Sequence, residues 1–301
     1  MPASETVETR KTPAELIDAL ERLLTVEKLD TDLYRGLRNP GGQGRVFGGQ
    51  VIAQALMSAT GSVEPDRVVH SLHAYFMRPG DEDLPIICRV ERDFDGRSFS
   101  TRRVIAMQNG KPILNMAASF QLPEDGFSHQ AEMPDVPQPE DLISEAELIL
   151  RESKELPEAF VKAMTRPRPI EMRAVKPWSL LRPEKSEPVR QIWMRAVAPI
   201  GGDQLMHRAI MTYASDMALL STSMQPHGVS WISRGIQSAS LDHALWMHDD
   251  VRADEWMLYV TDSPWAGGGR GFNRGQIFSR DGRLIASTAQ EGLIRQRRDQ
   301  G

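Results

Sequence analysis

Gln108-Asn109-Gly110-Lys111-Pro112-Ile113 lies between two strand-like runs, Phe99–Met107 and Pro112–Gln121. Asn-Gly is the strongest short signal for a two-residue hairpin, because a type I′ turn needs positive φ at both central positions. The arrangement recurs 172 residues later: Asp281-Gly282-Arg283-Leu284-Ile285 separates Phe272–Ser279 from Leu284–Ile294. Working outward from each turn, His73-Ala74-Tyr75-Phe76 falls on His243-Ala244-Leu245-Trp246. The order of elements is the same in both halves: a helix, then an antiparallel meander closed by an Xaa-Gly hairpin. That is an α+β pattern in two copies of one domain rather than one irregular domain.

In the first copy, Gly48-Gly49 opens a run from Gln50 to Met57 with Val51, Ile52, Ala55 and Leu56 at helical spacing. Strand-like runs follow at Val68–Phe76, Ile86–Phe94, Phe99–Met107 and Pro112–Gln121. In the second, Arg190–Val197 reads as a strand and Asp203–Met224 as helical. Further strands are expected at Ile236–Trp246, Trp256–Thr261, Phe272–Ser279 and Leu284–Ile294.

Ahead of both copies, Thr12-Pro13-Ala14-Glu15 reads as a capping box with proline at the first helical position, followed by an apolar stripe. Between the copies, ten of the 20 prolines fall from Pro123 to Pro188. Proline cannot donate to a sheet ladder, so this stretch reads as connection. The expected division is a helical appendage over 1–28, a first repeat over 29–122, a proline-rich linker over 123–189 and a second repeat over 190–301.

Composition narrows the class. The 301 residues are 40% hydrophobic and 26% charged, with a formal net charge of −5, which fits a globular chain and argues against disorder. The acidic balance argues against a dedicated nucleic-acid binder. No apolar run approaches the roughly 20 residues that cross a bilayer, so no membrane insertion is expected. The first twenty residues lack the apolar segment of a secretory leader. Cys88, the single cysteine, can form no intrachain disulfide and reads as a small buried residue; cytoplasm is the expected location.

Several ordered blocks resemble the type II acyl-CoA thioesterase family, whose fold is a double hotdog. In the first half they are Gly44-Arg45-Val46-Phe47-Gly48-Gly49-Gln50-Val51, Val69 to Asp81 (VHSLHAYFMRPGD) and Gln108 to Ile113. In the second they are Ala214-Ser215-Asp216, Met224-Gln225-Pro226-His227-Gly228, Leu241 to Trp246 (LDHALW) and Ala286 to Gly292 (ASTAQEG). The resemblance runs from about Leu29 to Arg295. It implies two repeats, each a central helix wrapped by a curved antiparallel sheet, with the two sheets joined. It also implies an acyl-CoA substrate, no cofactor, and assembly into a homodimer or homotetramer.

In that family an Asp, a Thr or Ser, and a Gln hold the attacking water. By position these become Asp216, Ser240 and Gln290. The first repeat has His70 and Ala118 in place of the last two, which implies one complete site per chain. Taken alone, each residue has an ordinary reading: Asp216 as an acid at a helix start, Ser240 as a strand-edge polar residue, Gln290 as an outward-facing one. The chemistry is nonetheless coherent. A thiolate leaves readily, its conjugate acid having a pKa of about 8.5, so a positioned water, a base and oxyanion stabilisation suffice. An aspartate serves as that base only if burial raises its pKa.

Met217, Leu219 and Leu220 are candidates for the acyl channel. Arg45, Arg78, Arg102, Arg270 and Arg274 are candidates for the CoA phosphates, and the N-terminus at Gly48-Gly49 for the oxyanion. No metal is expected, since His70 and His73 point to opposite faces of a strand and His243 and His248 form no cluster. Gly267 to Gly271 lacks the residues of a phosphate loop, and no Gly-Xaa-Ser-Xaa-Gly elbow occurs. Two other readings stand beside the hydrolase. One is a hotdog enoyl-CoA hydratase, whose Asp-Xaa-Asn-Pro-Xaa-His loop is missing here; the other is a non-catalytic acyl-CoA binding module.

Overall fold

The computed structural model describes residues 11–39, 44–201 and 203–297. Thirteen strands form one antiparallel sheet. The first half contributes β1 (Val26–Asp30), β2 (Leu33–Gly36), β3 (Val68–Phe76), β4 (Ile86–Asp95), β5 (Phe99–Gln108) and β6 (Lys111–Gln121). The second contributes β7 (Ile170–Ala174), β8 (Val189–Ala196), β9 (Ile236–Ser240), β10 (Asp242–Met247), β11 (Met257–Gly267), β12 (Arg270–Ser279) and β13 (Leu284–Gln296).

The spatial order is β1-β2-β4-β5-β6-β3-β10-β13-β12-β11-β8-β7, with β9 paired to β13. Read from the middle, it is the same sequence of strands in both directions. The halves meet at β3 and β10, where Leu72 faces Leu245 and Ala74 faces His243. The expected duplication and the joined sheet are both present.

Each half lays one helix on the sheet: α2 (Gly48–Thr60) in the first and α5 (Gln204–Ser215) in the second. Ile52, Ala55, Leu56 and Ala59 of α2 and Ala209, Ile210, Met211 and Ala214 of α5 are buried in one core. The two helices touch through Gly49, whose α-carbon approaches so closely that a Cβ there would lie 2.3 Å from the Tyr213 carbonyl oxygen. Asn109 and Gly110 take φ of 48° and 70°, as the hairpin signal requires. At the second hairpin only Gly282 has positive φ, and the Ser279 hydroxyl accepts from the Arg283 amide and stabilises the turn instead.

Four expectations change. The N-terminal helix, α1 (Pro13–Leu24), carries the expected capping box but is no appendage: Ile17, Leu20, Leu23 and Leu24 are buried in the shared core. Four such side chains contribute about 1.5–3 kcal/mol each, reason enough for the helix to dock. The proline-rich stretch is also more than a linker. It carries α3 (Glu145–Glu152) and α4 (Glu158–Met164), and β7, which is free of proline, extends the second half's sheet by pairing with β8. Its earlier part covers the other face of that sheet, where Trp193 donates its indole N–H to the Pro137 carbonyl (2.9 Å) beside Trp256 and Phe278.

The helical run after Asp203 breaks at Asp216 and resumes as the short α6 (Leu219–Thr222). The long strand expected from Ile236 divides at Leu241. There the Leu241 amide donates to Glu291, and its carbonyl accepts from Phe76 of the other half.

Candidate active site

Asp216 is the C-cap of α5, not an acid at a helix start. Ser240 ends β9 and faces Gly292 across the ladder. On β13, Ala286, Thr288, Gln290 and Gly292 alternate onto the buried face, so Gln290 points inward and is 1% exposed rather than outward-facing. These three elements bring Asp216, Ser240 and Gln290 together. Gln290 Nε2 donates to Asp216 Oδ1 over 2.7 Å, and Ser240 Oγ reaches the same oxygen at 3.5 Å.

The N-terminus of α2 closes the cluster from the first half. The Gly49 N–H donates to the Asp216 carboxylate. Gly48 is required here, because a Cβ at that position would lie 2.6 Å from Asp216 Oδ2. The sequence suggested this helix end for an oxyanion, yet Gly49 spends its amide on the aspartate; Gly48 lines the cavity.

His243, on β10, is the residue that the sequence reading missed. It is fully buried, with Nδ1 3.1 Å from Gln290 Nε2 and Nε2 2.9 Å from Ser215 Oγ. Its one signal in the sequence is an alternation along β10 that puts it on the inner face with Leu245 and Met247. Burial pushes its pKa down to about 4, so it is neutral and its 3.9 Å approach to Asp216 is no ion pair. Burial pushes Asp216 up to about 6, against the lowering effect of the hydrogen bonds from Gln290, Gly49 and Ser240. A carboxylate poised there is ionised at neutral pH yet far more basic than a free aspartate.

Asp216 and Ser240 open onto a cavity of about 550 Å³, within the usual range for small-molecule sites. Met217, Leu220, Met224 and Trp231 give it an apolar wall. Of the acyl-channel candidates, Leu219 is instead fully buried in the core. Arg45 and Arg78 line the cavity and are exposed. The other three arginines lie elsewhere: Arg102 is buried against Ser62 and Asp95, Arg270 pairs with Glu291, and Arg274 pairs with Asp262. His70 bonds Ser119, and His73 stacks edge-on against Trp246. Cys88 is buried, its thiol pushed up to about 12, and far too weakly acidic to act as a nucleophile.

Known proteins resemble this chain along most of its length. The family profiles for the acyl-CoA thioesterase N-terminal and C-terminal domains match residues 37–121 and 134–294. Acyl-coenzyme A thioesterase 8 of Homo sapiens is 44% identical over 91% of this chain and 88% of its own length. Acyl-CoA thioesterase 2 of Haemophilus influenzae is 38% identical, covering 94% of this chain and 99% of its own. Among solved structures, the acyl-CoA thioesterase II TesB2 of Mycobacterium marinum superposes with a TM-score of 0.75 at 39% identity, over 92% of this chain and 98% of that one. With two hotdog repeats joined through one sheet and matches of this length to both domains, the chain belongs to the type II acyl-CoA thioesterase family and is an acyl-CoA thioester hydrolase.

Proposed function

We propose that the chain releases free fatty acid and CoA by direct attack of one water molecule, with Asp216 as general base. The observation that carries this reading is a carboxylate in the cavity wall that burial raises to about 6, even with Gln290, Gly49 and Ser240 donating to it. The water oxygen adds to the thioester carbonyl carbon as its proton passes to Asp216. The carbonyl oxygen becomes an oxyanion, and the α2 N-terminus at Gly48 favours that charge. Collapse breaks the C–S bond, and the departing thiolate recovers a proton. Ser240 orients the water, while Gln290 holds the carboxylate. General-base assistance of this kind is worth about 10²–10⁴ in rate.

The apolar wall of Met217, Leu220, Met224 and Trp231 suits an alkyl chain. Arg45 and Arg78, exposed at the same cavity, suit the phosphates of CoA. A single buried cysteine supports a cytoplasmic setting.

A thiol-release assay across short, medium and long acyl-CoAs tests the reading. Steady CoA release supports it. Loss of the enoyl absorbance of crotonyl-CoA without free thiol would identify a hydratase, and binding without turnover would identify a carrier.

A further inference from the structure

Behind the carboxylate lies a chain of buried polar groups whose hydrogens can be assigned from the acceptors alone. Ser215 Oγ lies 2.9 Å from the Thr212 carbonyl oxygen, which only accepts, so the hydroxyl hydrogen goes there. Ser215 Oγ must then accept from His243 Nε2, 2.9 Å away. A neutral imidazole carries one hydrogen, which leaves a lone pair on Nδ1. That lone pair faces Gln290 Nε2 at 3.1 Å, and the second hydrogen of the same amide faces Asp216 Oδ1 at 2.7 Å.

Both hydrogens of the Gln290 amide are therefore committed to acceptors. Turning the amide over would set its carbonyl oxygen against a carboxylate oxygen and an imidazole lone pair, three acceptors with no hydrogen between them. In the observed orientation Gln290 Oε1 is itself buried without a partner among the described residues. An orphaned buried acceptor costs about 1–3 kcal/mol. Gln290 keeps this costly orientation because the alternative is worse on the other side of the amide.

We propose that His243 is a positioning residue: held by Ser215 as the Nε2–H tautomer, it fixes the Gln290 amide in the one orientation that donates to Asp216. The inference rests on Asp216 as the base of the hydrolysis. It assigns a buried histidine no part in proton transfer, since His243 has no place in the cavity wall.

Two substitutions separate this role from packing. His243→Asn keeps an acceptor at the Nδ1 position and gives up the Ser215 contact. His243→Gln keeps the Ser215 contact and gives up the acceptor. Expected is a kcat for His243→Gln about ten- to hundredfold below the parent, the size of one lost buried hydrogen bond, with KM held within about threefold. His243→Asn should recover most of that loss. If Gln outperforms Asn, or if both variants move KM rather than kcat, the proposal is overturned.

Nitrogen-15 spectra of the histidine-labelled parent protein read the tautomer directly, and a variant enters only to assign the His243 signals. Seven histidines are present, and the His243 signals are those absent from the His243→Asn spectrum. A protonated Nε2 with an unprotonated Nδ1 at neutral pH is expected; the reverse tautomer would overturn the proposal. That spectrum reports on the network whether or not CoA is released, so failure of the hydrolase reading would be recognised separately, by absence of thiol from the parent.

Discussion

Gln290 and Asp216, 74 residues apart in sequence, meet at 2.7 Å with the amide donating and the carboxylate accepting. One sits on a strand and the other at the end of a helix, so the contact exists only when sheet and helix are docked. The donor offsets part of the cost of burying Asp216, whose side chain is 5% exposed. The remainder is what suits it to the proposed role of base.

The pH dependence of the rate follows from that cost. Asp216 titrates at about 6, so kcat/KM should rise with pH through that value and level off above it. A rate profile from mildly acidic to mildly alkaline pH checks this. A limb near the ordinary aspartate value of 3.8 would show that the carboxylate is not the titrating base.

Stability should depend on pH through the same group. Between 3.8 and about 6 the native state holds a proton that the unfolded chain has released, so stability falls as pH rises through that window. Above it the full penalty, about 3 kcal/mol, applies. His243, depressed from 6.5 to about 4, acts in the opposite sense over nearly the same range and masks the effect in the parent. The difference between parent and Asp216→Asn isolates it: the melting temperature of Asp216→Asn should gain on that of the parent as pH increases from 4 to 7. A constant difference across that range would contradict the burial argument.

Substitution at the paired glycines should separate packing from chemistry. In Gly49→Ala the new methyl meets the Tyr213 carbonyl oxygen, a backbone atom that cannot step aside, and drives α2 from α5. A loss of about 1–3 kcal/mol is expected, readable by chemical denaturation. In Gly48→Ala the methyl instead meets Asp216 Oδ2 and the ring of Phe76. There activity should fall more than stability does.

At Ser240 the 3.5 Å approach to Asp216 is long. Ser240→Thr, whose β-branch restricts the hydroxyl rotamer, should match or exceed the parent in kcat. Ser240→Ala should lose about tenfold, since removing one hydroxyl donor costs about 1–2 kcal/mol. Equal activity in all three would remove Ser240 from the mechanism.

Replacing Arg45 or Arg78 by alanine should raise KM for acyl-CoA, more so at low salt, and leave kcat nearly unchanged. Truncation of Arg270 or Arg274, which lie outside the cavity, should change neither constant.

Much of this architecture was legible in the residues. Asn109-Gly110 and Asp281-Gly282 carry local backbone chemistry that defines hairpins wherever they fall, and the duplication followed from them. The Asp216, Ser240 and Gln290 set was legible only through resemblance. Nothing in Ala-Ser-Asp-Met announces a buried carboxylate, because burial is decided by α2, a helix from the other half of the chain. The docking of α1 and the pairing of β7 were missed for a related reason. A stripe such as Ile17, Leu20, Leu23 and Leu24 says that a helix will bury a face, not which surface receives it. Nothing beside His243 in the sequence marks it as part of the site. Its partners, Gln290 and Ser215, are brought in by tertiary packing.

The central claim is that Asp216 activates water and does not itself attack the thioester. Single-turnover hydrolysis in oxygen-18 water, with enzyme in excess over acyl-CoA, tests it most directly. Direct attack places the label in the fatty acid from the first turnover and leaves the Asp216 side chain unlabelled. An unlabelled first-turnover acid, with the heavy oxygen found in the carboxylate of Asp216, would contradict the account.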